Sequence, residues 1–190
     1  MLTMSTLIAE QLFSFCPRCG AHAFGWRYQR LFVCASCDFH YYVNAGAAGG
    51  VIIVDDRGRI LLTRRSIDPS KGRLDLPGGF VEFGETAEDA IRREVREELN
   101  ITLGDLDYLC SFPNRYAHKG VLYDTLDLIF VGRVHNLKGM RTMDEVEEIV
   151  FVAPTDVNFC ELAFPSIRKA LEMYTARAAG NKPRAGASLI

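Results

Sequence analysis

Gly79-Phe80-Val81-Glu82-Phe83-Gly84-Glu85, followed by Arg93-Glu94-Val95-Arg96-Glu97-Glu98-Leu99, is the stretch that decides how this chain reads. A helix opening near Thr86 and turning about 100° per residue gathers Ala87, Ile91 and Val95 into one apolar stripe, within about 40° of its centre. Glu98 projects within about 20° of that centre, Glu94 lies about 60° to one side, and Glu97 about 60° beyond Glu94. Arg92, Arg93 and Arg96 point elsewhere. Three carboxylates so placed repel one another, and the innermost carries a desolvation cost that a hard cation relieves. Oxygen-only ligands suit Mg²⁺ or Mn²⁺, ions that keep several waters and lean on the phosphates of a substrate. The pattern therefore predicts a divalent-metal site at Glu94, Glu97 and Glu98 and a phosphorylated small-molecule substrate. A solvated acidic helix face is the bland alternative. Against it stand Pro77-Gly78-Gly79, which permits a tight, close-approaching turn, and Glu85 or Thr86 at the positive end of the helix.

The segment from Gly79 to Ile101 resembles the Nudix hydrolase signature, G-x5-E-x7-R-E-U-x-E-E-x-G-U, in which U is a bulky aliphatic residue. Glu85, Arg93, Glu94, Val95, Glu97, Glu98 and Ile101 fall at the required places, and the one departure is Asn100 where the family has glycine. Asparagine tolerates the left-handed conformation that a helix C-terminus wants. Residues 60–65 and 74–77 also look like the family's approach to this box. The resemblance implies an α+β fold, the Nudix α/β/α sandwich with a mixed sheet. It further implies hydrolysis of a nucleoside diphosphate linked to another moiety, with Glu94, Glu97 and Glu98 as metal ligands joined by the Gly79 carbonyl oxygen. Arg93, which projects about 100° or more away from the three ligands, is expected to orient Glu85 rather than bind substrate. A further catalytic acid is expected beyond the box in the run at 144–148, with Glu145 favoured and Glu148 second.

Four of the six cysteines fall as Cys16-Pro-Arg-Cys19 and Cys34-Ala-Ser-Cys37, two C-x2-C pairs separated by fourteen residues. That spacing predicts a zinc ribbon, with Gly20 placed where a left-handed residue helps to close the first knuckle. Four thiolates close a tetrahedral site, so the zinc is expected to be structural and to supply much of the ribbon's folding free energy. Cys110 and Cys160 read as small core residues.

Around these motifs the chain divides into an N-terminal helix and ribbon over 1–44, a catalytic domain over 45–175 and a mobile tail over 176–190. Strands are expected at 39–43, 51–54, 60–63, 106–111, 125–134 and 149–152, with 45–50 as a linker and a last helix over about 165–174. No membrane span appears, and 1–13 is amphipathic without the basic start of a signal peptide, which reads as cytoplasmic. A net charge of −2 gives no push toward nucleic acid, so nucleic acid and membrane are not expected partners. A homodimer is expected from the apolar opening and the family resemblance.

The pairing of a four-cysteine ribbon with this box resembles the NADH and ADP-ribose pyrophosphatase group. The NADH-hydrolysing members carry S-Q-P-W-P-F-P-x-S after the box, whereas this chain has Cys110-Ser111-Phe112-Pro113-Asn114-Arg115-Tyr116. The resemblance thus implies an ADP-linked substrate, with ADP-ribose ranked ahead of NADH and FAD. Phe112 and Tyr116 are candidates to stack on a base, and Arg115 and Arg64 to engage phosphate, each against a reading as core or solvated surface. The alternative function is a regulatory Nudix protein that binds nucleotide or nucleic acid without turnover.

Overall fold

The structure, a computed structural model, describes residues 7–28, 30–134, 136–178 and 180. It divides into two compact units, Met1–Gly46 with Arg115–Thr125, and Ala47–Asn114 with Leu126–Ile190.

In the first unit, β1 (Phe24–Tyr28), β2 (Leu31–Cys34) and β3 (His40–Tyr42) form an antiparallel sheet in that order. Phe24 lies opposite Cys34 and Trp26 opposite Phe32, so one face collects aromatic rings next to a cysteine. Phe24 and Phe32 stack with centroids 5.1 Å apart, and Phe13 meets Phe32 edge-on at 5.3 Å. Buried Cys16, Phe24, Phe32 and Cys34 make up a core too small to carry a domain without a cross-link or metal. The expected opening helix is not found over its described part: Ala9–Gln11 is a single 3-10 turn, and Leu7 pairs instead with Val121. Residues 1–6 of that expectation lie outside the described residues.

The second unit is an α+β arrangement around a mixed sheet of order β10-β5-β4-β9-β8, to which β4 (Gly46–Val54), β5 (Ile60–Arg65), β8 (Leu106–His118), β9 (Val121–Arg133) and β10 (Val146–Val152) contribute, Gly46 and residues 115–125 of these strands being counted with the first unit. Two short strands attach to it, β6 (Leu74–Asp75) on β5 and β7 (Gly78–Phe80) on β4. Val51-Ile52-Ile53-Val54 reads as an unbroken apolar run because both faces of β4 are covered. Val51 and Ile53 pack with Ile91, Val95 and Leu99 of α1 (Ala87–Leu99), while Ile52 and Val54 pack with Ile167, Ala170 and Leu171 of α2 (Pro165–Ala178). Full burial of each such side chain contributes about 1.5–3 kcal/mol, which anchors α1 rigidly beside the sheet.

Four local expectations are corrected. Residues 46–50, read as a linker, are the first half of β4. Their smallness answers a packing demand rather than flexibility: a Cβ on Gly49 would lie 2.8 Å from Ile91 Cγ1. The strand expected to stop at residue 111 continues to His118, and its partner starts at Val121, the two joined by Lys119 (φ 46°) and Gly120 (φ 80°). Two consecutive positive φ values suit the right-handed twist of a hairpin, and this is what carries residues 112–118 on as strand. Finally, Cys160 is exposed, whereas Cys110 is buried as expected. The last helix runs on to Ala178, past the expected start of the tail at 176, and the remainder of that tail apart from Gly180 lies outside the described residues.

Candidate active site

Thr86 caps α1: its Oγ1 accepts the Asp89 N–H at 3.1 Å and donates to Asp89 Oδ2 at 2.8 Å, placing acid at the positive helix end. Ala90, Ile91, Val95 and Leu99 form the buried stripe, and the glutamates stand along its border. Glu98 Oε2 accepts the Gly78 N–H at 3.2 Å. Gly78 and Gly79, expected in a turn, instead follow the bend at Pro77 as the first residues of β7, and a side chain is crowded at each for a separate reason. Gly78, at φ 144°, lies so close to the Gly49 carbonyl that any Cβ would collide with it, and a Cβ on Gly79 would occupy the space of the Glu94 carboxylate. Gly79→Ala is therefore expected to cost about 1–3 kcal/mol in chemical denaturation, as overpacking does. An unchanged midpoint would show that Glu94 moves aside freely.

Arg93 ties the site together. Its Nε and Nη2 donate to the two Glu85 oxygens at 2.9 and 3.1 Å, so Glu85 is held in a forked pair as expected. The reading of Arg93 as projecting away from the other glutamates is corrected. Nη1 donates to Glu94 Oε1 at 2.8 Å and Glu97 Oε2 at 3.2 Å, and Nη2 also reaches the Phe80 carbonyl at 3.1 Å. The Cα direction of a helical residue does not limit a side chain as long as arginine.

Three carboxylates, Glu85, Glu94 and Glu97, thus share one guanidinium, while Glu98 beside them has only the Gly78 N–H. The pair with Arg93 holds the Glu85 carboxyl below its ordinary range and pushes the guanidinium higher still. Glu94 is pushed up, chiefly by burial and against the pull of Arg93. Burial raises Glu98 to about 8, against the Gly78 N–H, with added negative potential from Glu94, Asp75 and Glu145. A half-buried oxygen site holding more negative charge than its own cation neutralises has the donor chemistry of a Mg²⁺ or Mn²⁺ site.

The other candidates are dispersed. Glu145 immediately precedes β10; its carbonyl accepts the Ser66 N–H at 2.8 Å, and its exposed carboxylate is near enough to disfavour ionisation of Glu94 and Glu98. Glu148 is occupied by Arg64, whose Nε donates to it at 2.7 Å while Nη1 donates to the Gly72 carbonyl. Phe112 packs against the core on the α2 side, with Lys169 Nζ 5.5 Å from its ring centre. Arg115, exposed and 3.6 Å from Asp124, and Tyr116, stacked on His118, lie on the hairpin tip that belongs to the other unit. Sequence reasoning passed over Asp75. Its buried carboxyl, raised to about 6 by burial, accepts the Leu76 N–H at 2.9 Å and an Arg65 N–H at 3.0 Å, bracing the chain that leads into β7. The only signal for it was an acid between two leucines in a strand-like run.

In the first unit the sulfurs of Cys16, Cys19, Cys34 and Cys37 converge within 4.8 Å of one another. Each pair closes a knuckle of the same form. The Gly20 N–H donates to the Cys16 carbonyl and the Asp38 N–H to the Cys34 carbonyl, with Gly20 at φ 73° and Asp38 at φ 55°. The left-handed residue foreseen at Gly20 thus has a counterpart at Asp38, where aspartate tolerates the conformation. Four sulfurs at this spacing fit a tetrahedral Zn²⁺. Among the described residues no helix is long and apolar enough to cross a membrane.

Comparison with known proteins agrees with this arrangement. The chain is 33% identical over 108 residues to the NAD-capped RNA hydrolase NudC of Pseudomonas aeruginosa, covering 57% of this chain and 38% of that protein. It is 27% identical over 166 residues to NudC of Pseudomonas putida, covering 87% and 57%. The chain thus spans well under two thirds of the length of these relatives. Among solved structures, a NUDIX hydrolase from Nitrosomonas europaea aligns with a TM-score of 0.70 at 22% identity, covering 90% of this chain and 95% of that one. A MutT NUDIX hydrolase from Burkholderia pseudomallei aligns at 0.59 and 30% identity, covering 68% and 98%. The NUDIX domain family itself matches residues 44–174, more than half of the sequence, and by that span the chain belongs to the Nudix family.

Proposed function

We propose that this chain is a metal-dependent Nudix pyrophosphohydrolase that splits the pyrophosphate of an ADP-linked compound. The observation that carries the reading is Glu98, half-buried beside Glu94 against Gly78 and Gly79 of β7, a placement that burial disfavours for a charged carboxylate and that a bound cation would relieve. Mg²⁺ or Mn²⁺ held by Glu94, Glu97, Glu98 and the Gly79 carbonyl would screen the phosphate charges and acidify a water. The residues of the chain supply the rest. Glu94, Glu97 and Glu98 would hold such an ion as carboxylates, and Arg93 Nε and Nη2 keep Glu85 in place beside them. Glu145, on the segment facing Glu94 and Glu98, accepts the proton of the attacking water. The four cysteines hold a structural zinc.

For substrate, the NudC relatives act, by name, on NAD-capped RNA. In this chain Cys110 to Tyr116 lacks the Trp and second Pro of the NADH-hydrolysing motif, which weakens NADH and raises ADP-ribose, FAD or another ADP-linked compound, ADP-ribose being ranked first. The test is a panel of ADP-ribose, NADH, FAD, NAD-capped RNA, diadenosine polyphosphates and nucleoside triphosphates with Mg²⁺, comparing kcat/KM. AMP release from ADP-ribose, at a rate above the others, is the expected result. Tight binding with no phosphorus–oxygen cleavage anywhere in the panel would overturn the enzyme in favour of a nucleotide-binding regulator.

A further inference from the structure

Asn100 is the position at which this chain departs from the Nudix signature, and it does more than imitate the glycine it replaces. As C-cap of α1 it adopts φ 54°, ψ 37°, and its N–H donates to the Arg96 carbonyl. Glycine would do as much. Glycine has no side chain, however, and here the Asn100 amide Nδ2–H donates to the Gly139 carbonyl at 2.9 Å. Gly139 belongs to a segment that folds back across the C-terminal end of the catalytic helix. There the Arg141 N–H donates to the Leu99 carbonyl at 3.2 Å and the Met143 N–H to the Glu98 carbonyl at 2.9 Å, satisfying helix carbonyls that have no partner within α1. Two residues beyond Met143 comes Glu145, whose own carbonyl is fixed on the other side by the Ser66 N–H. Its carboxylate acts electrostatically on Glu94 and Glu98.

We propose that Asn100 is a positioning residue: its side-chain amide clamps residues 137–143 to the end of α1 and so sets where Glu145 stands relative to Glu94 and Glu98. The inference rests on the hydrolase reading above, in which Glu145 takes the proton of the attacking water. The clamp is local. Leu137 and Met140 pack against the α1 core whether or not the amide is present, so its removal loosens the segment without unfolding it. Catalytic geometry is far more sensitive than stability to such a change, because a small misplacement of the proton acceptor slows the chemical step directly.

Asn100→Gly restores the family residue, keeps the left-handed cap and deletes only the amide. It is expected to melt like the wild type, to leave KM unchanged and to lower kcat by about three- to tenfold, a part of the about 10²-fold or larger loss expected for Glu145→Gln. Asn100→Asp, which turns a carboxylate toward the Gly139 carbonyl, is expected to lose at least as much. The double variant Asn100→Gly/Glu145→Gln is expected to be no slower than Glu145→Gln alone, since Asn100 acts through Glu145. Independently of chemistry, hydrogen exchange at the Arg141 and Met143 amides is expected to quicken by about tenfold in Asn100→Gly. Unchanged exchange and kcat in Asn100→Gly, or losses that multiply in the double variant, would overturn the proposal. A wild-type protein that turns over nothing would instead remove the hydrolase reading, and the exchange measurement would still report whether the clamp exists.

Discussion

Glu98→Gln is expected to reduce Mg²⁺-dependent turnover by about 10³-fold or more while leaving the circular-dichroism spectrum unchanged. The fold survives because the Gln side-chain oxygen can still accept the Gly78 N–H and because nothing charged remains to be desolvated beside Leu99. Activity does not survive, because a neutral amide neither balances a divalent cation nor replaces a carboxylate ligand. The same variant carries a pH signature. In the protein without Mg²⁺, Glu98 has a folded-state pKa of about 8 against an ordinary 4.5, so the folded state holds this proton more tightly than the unfolded chain. Its contribution is fully present below pH 4.5 and is lost as the pH rises through 8. Chemical denaturation without added Mg²⁺ should therefore show the wild type losing up to a few kcal/mol between pH 5 and 8.5, an interval over which Glu98→Gln loses less. Turnover of Glu98→Gln within tenfold of the wild type would remove Glu98 from the metal site, and equal pH slopes would show that its carboxyl is not proton-bound in the free protein.

Replacing Cys34 with Ser is expected to release the zinc and unfold the ribbon strands, while kcat at saturating Mg²⁺ changes by only a few-fold. Cys34 lies buried at the centre of the smaller core, beside Phe24 and Phe32. Burial pushes its thiol up, but the backbone N–H groups of Cys37 and Ser36 together with the thiols of Cys37 and Cys16 more than offset this, leaving it lowered to about 7. It is thus poised to coordinate as a thiolate at neutral pH, whereas a serine hydroxyl is not. A core of this size cannot offset the chain entropy of the ribbon, and structural zinc supplies about 10–16 kcal/mol of apparent binding free energy in comparable modules. Metal analysis finding one zinc per wild-type chain and none in the variant, with β1 to β3 losing amide protection, is the expected outcome. A wild type purified without zinc, or a variant that keeps both metal and protection, would refute the assignment.

How much of the molecule is legible in its linear sequence follows the range over which the causes act. The glutamate helix, its apolar stripe and the two cysteine knuckles depend on contacts three to five residues apart, so Glu94, Glu97, Glu98 and the C-x2-C pairs were legible from spacing alone. Residues 46–50 look like a linker in the sequence because their glycines answer to Ile91 and to Gly78 and Gly79 of β7, partners about 30 to 45 residues away. The long β8–β9 hairpin was cut short for a related reason: the polar stretch from Asn114 to Asp124 looks like a loop until pairing with its partner strand makes it a ribbon.

By itself, then, the sequence determined the Nudix box, the helix that presents it and the four-cysteine framework, because each is a local pattern whose geometry is set by the backbone period. Only the tertiary structure decided that Arg93 spans Glu85, Glu94 and Glu97 at once, that Asp75 braces the chain leading into β7, and that Asn100 reaches Gly139 beneath the segment bearing Glu145. These are contacts of long side chains and returning loops, and nothing in the linear order of residues fixes which atoms the fold will bring within hydrogen-bonding distance.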